Sequence, residues 1–427
     1  MIGLGPMPPG GVPAGQTVAA RGPRLTERHV LTLGLAMAAA FVAGAAFLAG
    51  WLAIQGGGGQ WAIIHLALAG GATVAIGAFM PHFAVTLAGT NPSPAAQRIA
   101  VLTALALAGA GVVAGVSLRL PPLSAAAGAL VIAGLAGVTL HTFAPMRQPL
   151  ARRHPVVGAA YGVALAELAL GVMFGTLAAM GNQAVLGAWA QLRPAHAWLT
   201  LFGAMSLTIA ATLVYLAPTV LGARVRASWA LGLMVAGIGI GPILAAAGFA
   251  FDARFLVVVG MAGTVLGGAG QVGYLIETFV RRGPFTSEHD WRRVAAGHLL
   301  AGAGWFAVAS AIALDELLAG RDLTGWSVGL LALPLVAGWV MQELVGSWTH
   351  LVPSVTPGDA DLHARQRRVL AVGSWSRLVA WNSGLLAAWA GAALEIATLA
   401  TAGGIVLLAA VATSVVLMGR ALTIGRY

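Results

Sequence analysis

Residues 195–224 read AHAWLTLFGAMSLTIAATLVYLAPTVLGAR. The run is long and apolar enough to cross a bilayer, yet it opens on His196, carries Thr200, Ser206, Thr208, Thr212 and Tyr215, and closes on Pro218. A lipid anchor needs none of these. In hydrocarbon each polar side chain must find an internal partner or face a cavity, so this helix is expected to turn inward toward something bound.

The chain around it has the same character. Of 427 residues, 59% are hydrophobic and 8% charged, and the mean hydropathy is +0.88. A soluble domain carries about a quarter charged residues, so these values imply an all-α, polytopic membrane protein whose main partner is the lipid bilayer. Cysteine is absent, which excludes disulfides, thiolate metal sites, iron–sulfur clusters and thioether-linked haem. All 23 basic side chains are arginine, so no lysine is available for Schiff-base chemistry.

Residues 1–28 are rich in Pro and Gly and lack the apolar core of a signal peptide; they are expected to form a disordered cytoplasmic tail. Residues 29–420 then divide into twelve apolar segments, each near the ~20 residues that span a bilayer, and 421–427 form a short cytoplasmic C-terminus. With both termini inside, 18 arginines fall in cytoplasmic tails and loops. Only Arg119, Arg193, Arg254 and Arg321 fall outside. That asymmetry follows the positive-inside rule and places the chain in the inner (plasma) membrane; it also explains the high arginine content without a nucleic-acid partner.

The second, sixth and tenth segments close on related phrases, GAFMPHF (77–83), TLVYLAP (212–218) and GSWTHLVP (346–353). A recurrence every four segments suggests a threefold internal arrangement. On this topology His65 and His196 lie near the outer ends of the second and sixth segments, and His82 and His350 near the inner ends of the second and tenth. His65 and His82 are 17 residues apart, about 25 Å of helix, so one metal cannot take both. Two layers of sites are expected, His65 with His196 and His82 with His350; the alternative is that each ring bonds to backbone carbonyls or headgroups. His29, His154, His289 and His363 sit in loops or at a helix entry and read as interfacial.

His196, Thr200 and Gly203 share one face by helical spacing, where Gly203 leaves room for a flat macrocycle or a close helix neighbour. Glu343 in the tenth segment comes to the depth of Arg377 in the eleventh, which predicts an ion pair; Arg377 could instead neutralise a haem propionate. Glu167, Gln271, Tyr274 and Glu277 either line a proton path or stitch helices together. Gly267, Gly268 and Gly270 lie inside a helix with no preceding strand and no lysine, so they read as packing rather than a phosphate loop.

Twelve helices, a threefold relation, a His near the outer end of the second and another opening the sixth resemble subunit I of haem–copper oxidases. The phrase HAWLTLFGAMSLTIAATLVYLAPTVLGAR is similar to that of a divergent oxidase-like branch, which includes NnrS-like proteins and the membrane part of some actinobacterial copper oxidases. The resemblance implies a pseudo-threefold bundle, haem with copper as a second candidate, His65 as haem ligand and His196 as metal ligand. It also implies a redox partner protein and a role in nitric oxide response, metal homeostasis or electron transfer. Ala197 and Trp198 follow His196, and no adjacent histidine pair occurs, so oxygen reduction is not implied. The rival from another class is a secondary transporter with a midplane polar site, which predicts twofold repeats.

Overall fold

The computed structural model describes residues 25–55, 59–150, 154–283, 290–320 and 322–424. Most of the expected tail, together with Arg152, Arg153, His289, Arg321 and Arg426, lies outside them. Every regular element among the described residues is helical. The long helices are α1 (Glu27–Gln55), α2 (Gln60–Ala88), α3 (Ala95–Ser117), α4 (Pro121–Met146), α5 (Pro155–Ala179) and α6 (Trp189–Leu221). They continue with α7 (Trp229–Ala250), α8 (Arg254–Val280), α9 (Asp290–Leu318), α10 (Gly329–Val355), α12 (Ser374–Ala393) and α13 (Ala397–Thr423). A shorter amphipathic helix, α11 (Ala360–Ala371), precedes α12. Helix α1 begins at Glu27, two residues earlier than the sequence boundary.

Eleven of these helices, among the described residues, are long and apolar enough to cross a membrane. The expected twelfth is α12, whose 20 residues suffice in length but include Arg377, Asn382 and three serines. Large apolar side chains point away from the protein all around the bundle, among them Phe47, Ile54, Leu107, Leu140, Ile240, Phe255 and Ile405, each more than half exposed. Only lipid solvates such a surface.

Three spans form the centre. The apolar windows of α2, α6 and α10 are 67%, 78% and 72% buried, whereas those of the other eight are 28–50% buried. The same three carry π-helical segments, Leu66–Ala72, Trp198–Met205 and Pro334–Val340, after which each resumes as an α-helix. A π turn needs its carbonyls satisfied five residues on. Thr73 and Ser206, the first residues past the first two segments, do this by donating their hydroxyls to Leu68 O and Leu201 O at 2.9 Å.

One glycine per π segment, Gly70, Gly203 and Gly338, admits a bulky group from the span that precedes it in sequence. A Cβ on each would lie 2.2 Å from Phe41 of α1, 2.7 Å from the Glu167 carboxyl of α5 and 2.7 Å from Trp305 of α9. The closing phrases align less well. Pro218 and Pro353 occupy one register, but Pro81 sits a turn earlier, so the π segments and not the prolines set the correspondence.

Backbone contact between small residues holds the outer helices. A Cβ on Gly260 of α8 would meet Ala245 N of α7 at 2.3 Å, and one on Gly267 would meet Ile238 N at 2.7 Å. Gly260→Ala is therefore expected to destabilise by about 1–3 kcal/mol, because backbone cannot yield as a side-chain tip can. Thermal unfolding in detergent checks this against Gly232→Ala, whose Cβ would meet nothing within 4 Å.

Candidate functional site

At the arginine-poor end, His65 and His196 come together across the crevice between α2 and α6. Their ring planes are 3° from parallel and their centroids 6.4 Å apart. His65 Nδ1 donates to Trp61 O one turn back, and His196 Nδ1 donates to Gly171 O of α5, both at 2.7 Å. A carbonyl only accepts, so both rings carry the Nδ1 proton and both present Nε2 with its lone pair. Trp61 stacks on His65 with centroids 4.1 Å apart, and Trp189 flanks His196 at 6.4 Å. Bare backbone at Gly175 lets His196 lie against α5, since a Cβ there would sit 3.1 Å from Cε1.

Two imidazoles that hold one metal through bonds of about 2.0 Å can have centroids no more than about 6.3 Å apart. The observed separation is close to that limit, so His65 and His196 would be the residues to hold such a group. Among the described residues no group of three or more ligating side chains gathers to hold an ion. The donor set therefore suits a group that brings its own equatorial ligands, which haem does, better than an ion that needs three or four protein ligands. Aromatic rings fill the crevice on the other side of α6. Trp198 stacks on Phe202 at 4.0 Å, with Trp326 5.8 Å from Trp198 and 5.3 Å from Phe249.

The second expected layer is not assembled. His82 Nδ1 pairs with Glu27 Oε1 at 3.2 Å; Glu27 also holds Arg98, which donates to Ala78 O in the turn that Pro81 loosens. His350 instead stacks on Trp291, with centroids 5.7 Å apart. Two further histidines make ordinary polar contacts: His154, just before α5, with the Tyr215 hydroxyl, and His363, which lies in α11 and not in a loop, with Thr356 O.

The predicted Glu343–Arg377 pair does not form. Arg377 stands in the first turn of α12 and spends its donors on Val372 O, Leu370 O and Ser414 Oγ, which tie down the preceding loop and α13. Three of its five N–H groups are engaged there, which anchors the guanidinium to protein on three sides. Glu343 lies against Gly302 of α9, and neither of its oxygens has a partner. Gly203 likewise offers no slot for a macrocycle, because the Glu167 carboxyl occupies it.

A buried polar network escaped the sequence reading. Trp305 Nε1 donates to Asn382 Oδ1 at 2.8 Å, Asn382 and Gln342 exchange hydrogen bonds, and Gln342 Oε1 meets His298 Nδ1 at 3.0 Å. It ties α9, α10 and α12 together. The signal available in sequence was the coincidence of three amides and imidazoles in otherwise apolar spans.

The chain matches no protein-family model, and no curated protein is similar enough to match.

Proposed function

We propose that this chain is a membrane haem protein that transfers electrons, with the haem iron held between His65 and His196. The supporting observation is the pair of parallel imidazoles 6.4 Å apart, each with its Nδ1 proton given to a carbonyl. Those carbonyls fix the tautomer and make Nε2 a better donor. The haem would supply a one-electron centre. A group held by two protein nitrogens would suit electron transfer better than gas binding or reduction. Arg193, exposed one turn before His196, would be the cation available to a propionate. Copper is the second candidate: a single two-coordinate ion would use the same two nitrogens, and metal homeostasis would then be the role.

The bundle is read as oxidase-like, with twelve spans once α12 is counted. The common register of α2, α6 and α10 supports threefold over twofold repetition, and so favours this reading over a transporter. The arginine asymmetry supports placing both termini and the arginine-rich end in the cytoplasm, and the His pair toward the outside, where a redox partner protein would dock.

Protein produced with haem supplied and purified in detergent is expected to carry one haem per chain, with a Soret band and the sharp α band of a low-spin ferrous haem on reduction. Stoichiometric copper without Soret absorption would move the site to the copper reading. Absence of both would overturn the proposal.

A further inference from the structure

The three central spans line a half-open cavity of ≈ 80 Å³ between them, deeper in the bundle than the His pair. Each span contributes six positions with one spacing: 72, 75, 76, 79, 80 and 83 on α2, 205, 208, 209, 212, 213 and 216 on α6, and 340, 343, 344, 347, 348 and 351 on α10. The wall is apolar except for Thr208, Thr212, Ser347 and one carboxyl, Glu343.

Glu343 is 2% exposed and neither oxygen has a hydrogen-bond partner. The equivalent positions on the other two spans are Ala75 and Thr208, so nothing across the axis compensates it. Behind it lies Gly302, whose missing Cβ would be 2.8 Å from Oε1. A carboxyl so buried needs a counter-charge or a proton, and among the described residues no basic side chain forms an ion pair with it.

The occupant's chemistry follows from the wall. Calcium or magnesium wants six or more oxygens, and the cavity offers one carboxyl and three hydroxyls, of which Thr212 already donates to Thr208 O. An anion would be repelled, and a purely apolar molecule would leave the carboxyl unsatisfied. Phe79, Phe83 and Trp348 present aromatic surface suited to a cation with an apolar body. At about 10–15 Å³ of such volume per water-sized atom, the space holds roughly six non-hydrogen atoms.

We propose that the axial cavity is a binding site for a small organic ammonium ion, whose N–H groups donate to Glu343 and whose hydrocarbon part packs against Phe79, Phe83 and Trp348. The site is independent of the haem reading.

The test uses the full chain in lipid nanodiscs with radiolabelled cyclopentylamine, and cyclopentanol as its uncharged counterpart. Saturable binding of one amine per chain is expected, with the alcohol at least about tenfold weaker, the difference that one charge-assisted hydrogen bond makes. Glu343→Gln keeps the shape and is expected to lose the amine by about tenfold or more, and Phe79→Leu to weaken it severalfold. His65→Ala should bind the amine as the wild type does, so failure of the haem proposal would leave this one standing. Equal affinity of the wild type for amine and alcohol, or undiminished amine binding by folded Glu343→Gln, would overturn it. The wild-type comparison decides the matter even where a variant fails to fold.

Discussion

His196→Ala is expected to remove the low-spin spectrum of the bound haem and leave either a high-spin, five-coordinate species on His65 or a protein depleted of haem. The imidazole is fixed from outside its own helix: Gly171 O of α5 takes the Nδ1 proton, and the bare Gly175 backbone lies against the ring. Alanine removes the donor, and Thr200, one turn on, is already donating to the residue 196 carbonyl. His65→Ala should give the mirror result, and the double variant should lose haem altogether. Gly175→Ala is a finer probe. Its Cβ would press on His196 at 3.1 Å, so the ring should tilt and the reduction potential should move while haem content persists. Optical and paramagnetic resonance spectra of the purified variants check all four. Spectra of His196→Ala and His65→Ala identical to the wild type would clear both residues of ligation.

Depth along a helix was legible from the sequence, and azimuth only in places. Apolar runs and arginines placed the spans within a few residues, and the outer positions of His65 and His196 followed from counting. Their meeting required only that α2 and α6 be neighbours, which the recurring phrases suggested. The face drawn through His196, Thr200 and Gly203 held: all three pack on α5, against Gly175, Gly171 and Glu167, and of the two neighbours expected at Gly203 the structure has the helix and not a macrocycle. The π segment at 334–340 precedes Glu343, which points at α9 and the axis and not at α12, where Arg377 was expected to meet it.

The polarity of the sixth span misled for another reason. Thr200, Ser206 and Thr212 all donate to carbonyls of their own helix, so most of that polar face satisfies itself. Only some of it reaches outward: Ser206 accepts from Trp339 Nε1, and Thr212 pairs with the Tyr161 hydroxyl. The amphipathic α11 was missed because its residues were divided between a loop and the following apolar run. Asp359 caps it by accepting from Leu362 N at 2.8 Å, a bond that also holds the carboxyl below its ordinary pKa.

Glu167→Leu is expected to make the protein more stable, by about 1–3 kcal/mol, the cost of a buried polar group left without a partner. Glu167 is 3% exposed, and neither carboxyl oxygen has a hydrogen-bond partner. It fills the groove over Gly203, and the two equivalent grooves, over Gly70 and Gly338, are filled by the rings of Phe41 and Trp305. The architecture thus accepts an apolar group at this position in two of its three copies. Glu167→Gln, which keeps the shape and a polar end, should gain little. Thermal unfolding of the three proteins in one detergent orders them, and a lower midpoint for Glu167→Leu would show that the carboxyl has a stabilising partner. A rise in stability would leave the carboxyl without a structural reason for its place, one helical turn from the Gly171 carbonyl that orients His196. Its influence would then be electrostatic: if it is ionised when the haem is oxidised, the Leu and Gln variants should both raise the reduction potential, and a potential common to all three proteins would exclude that role.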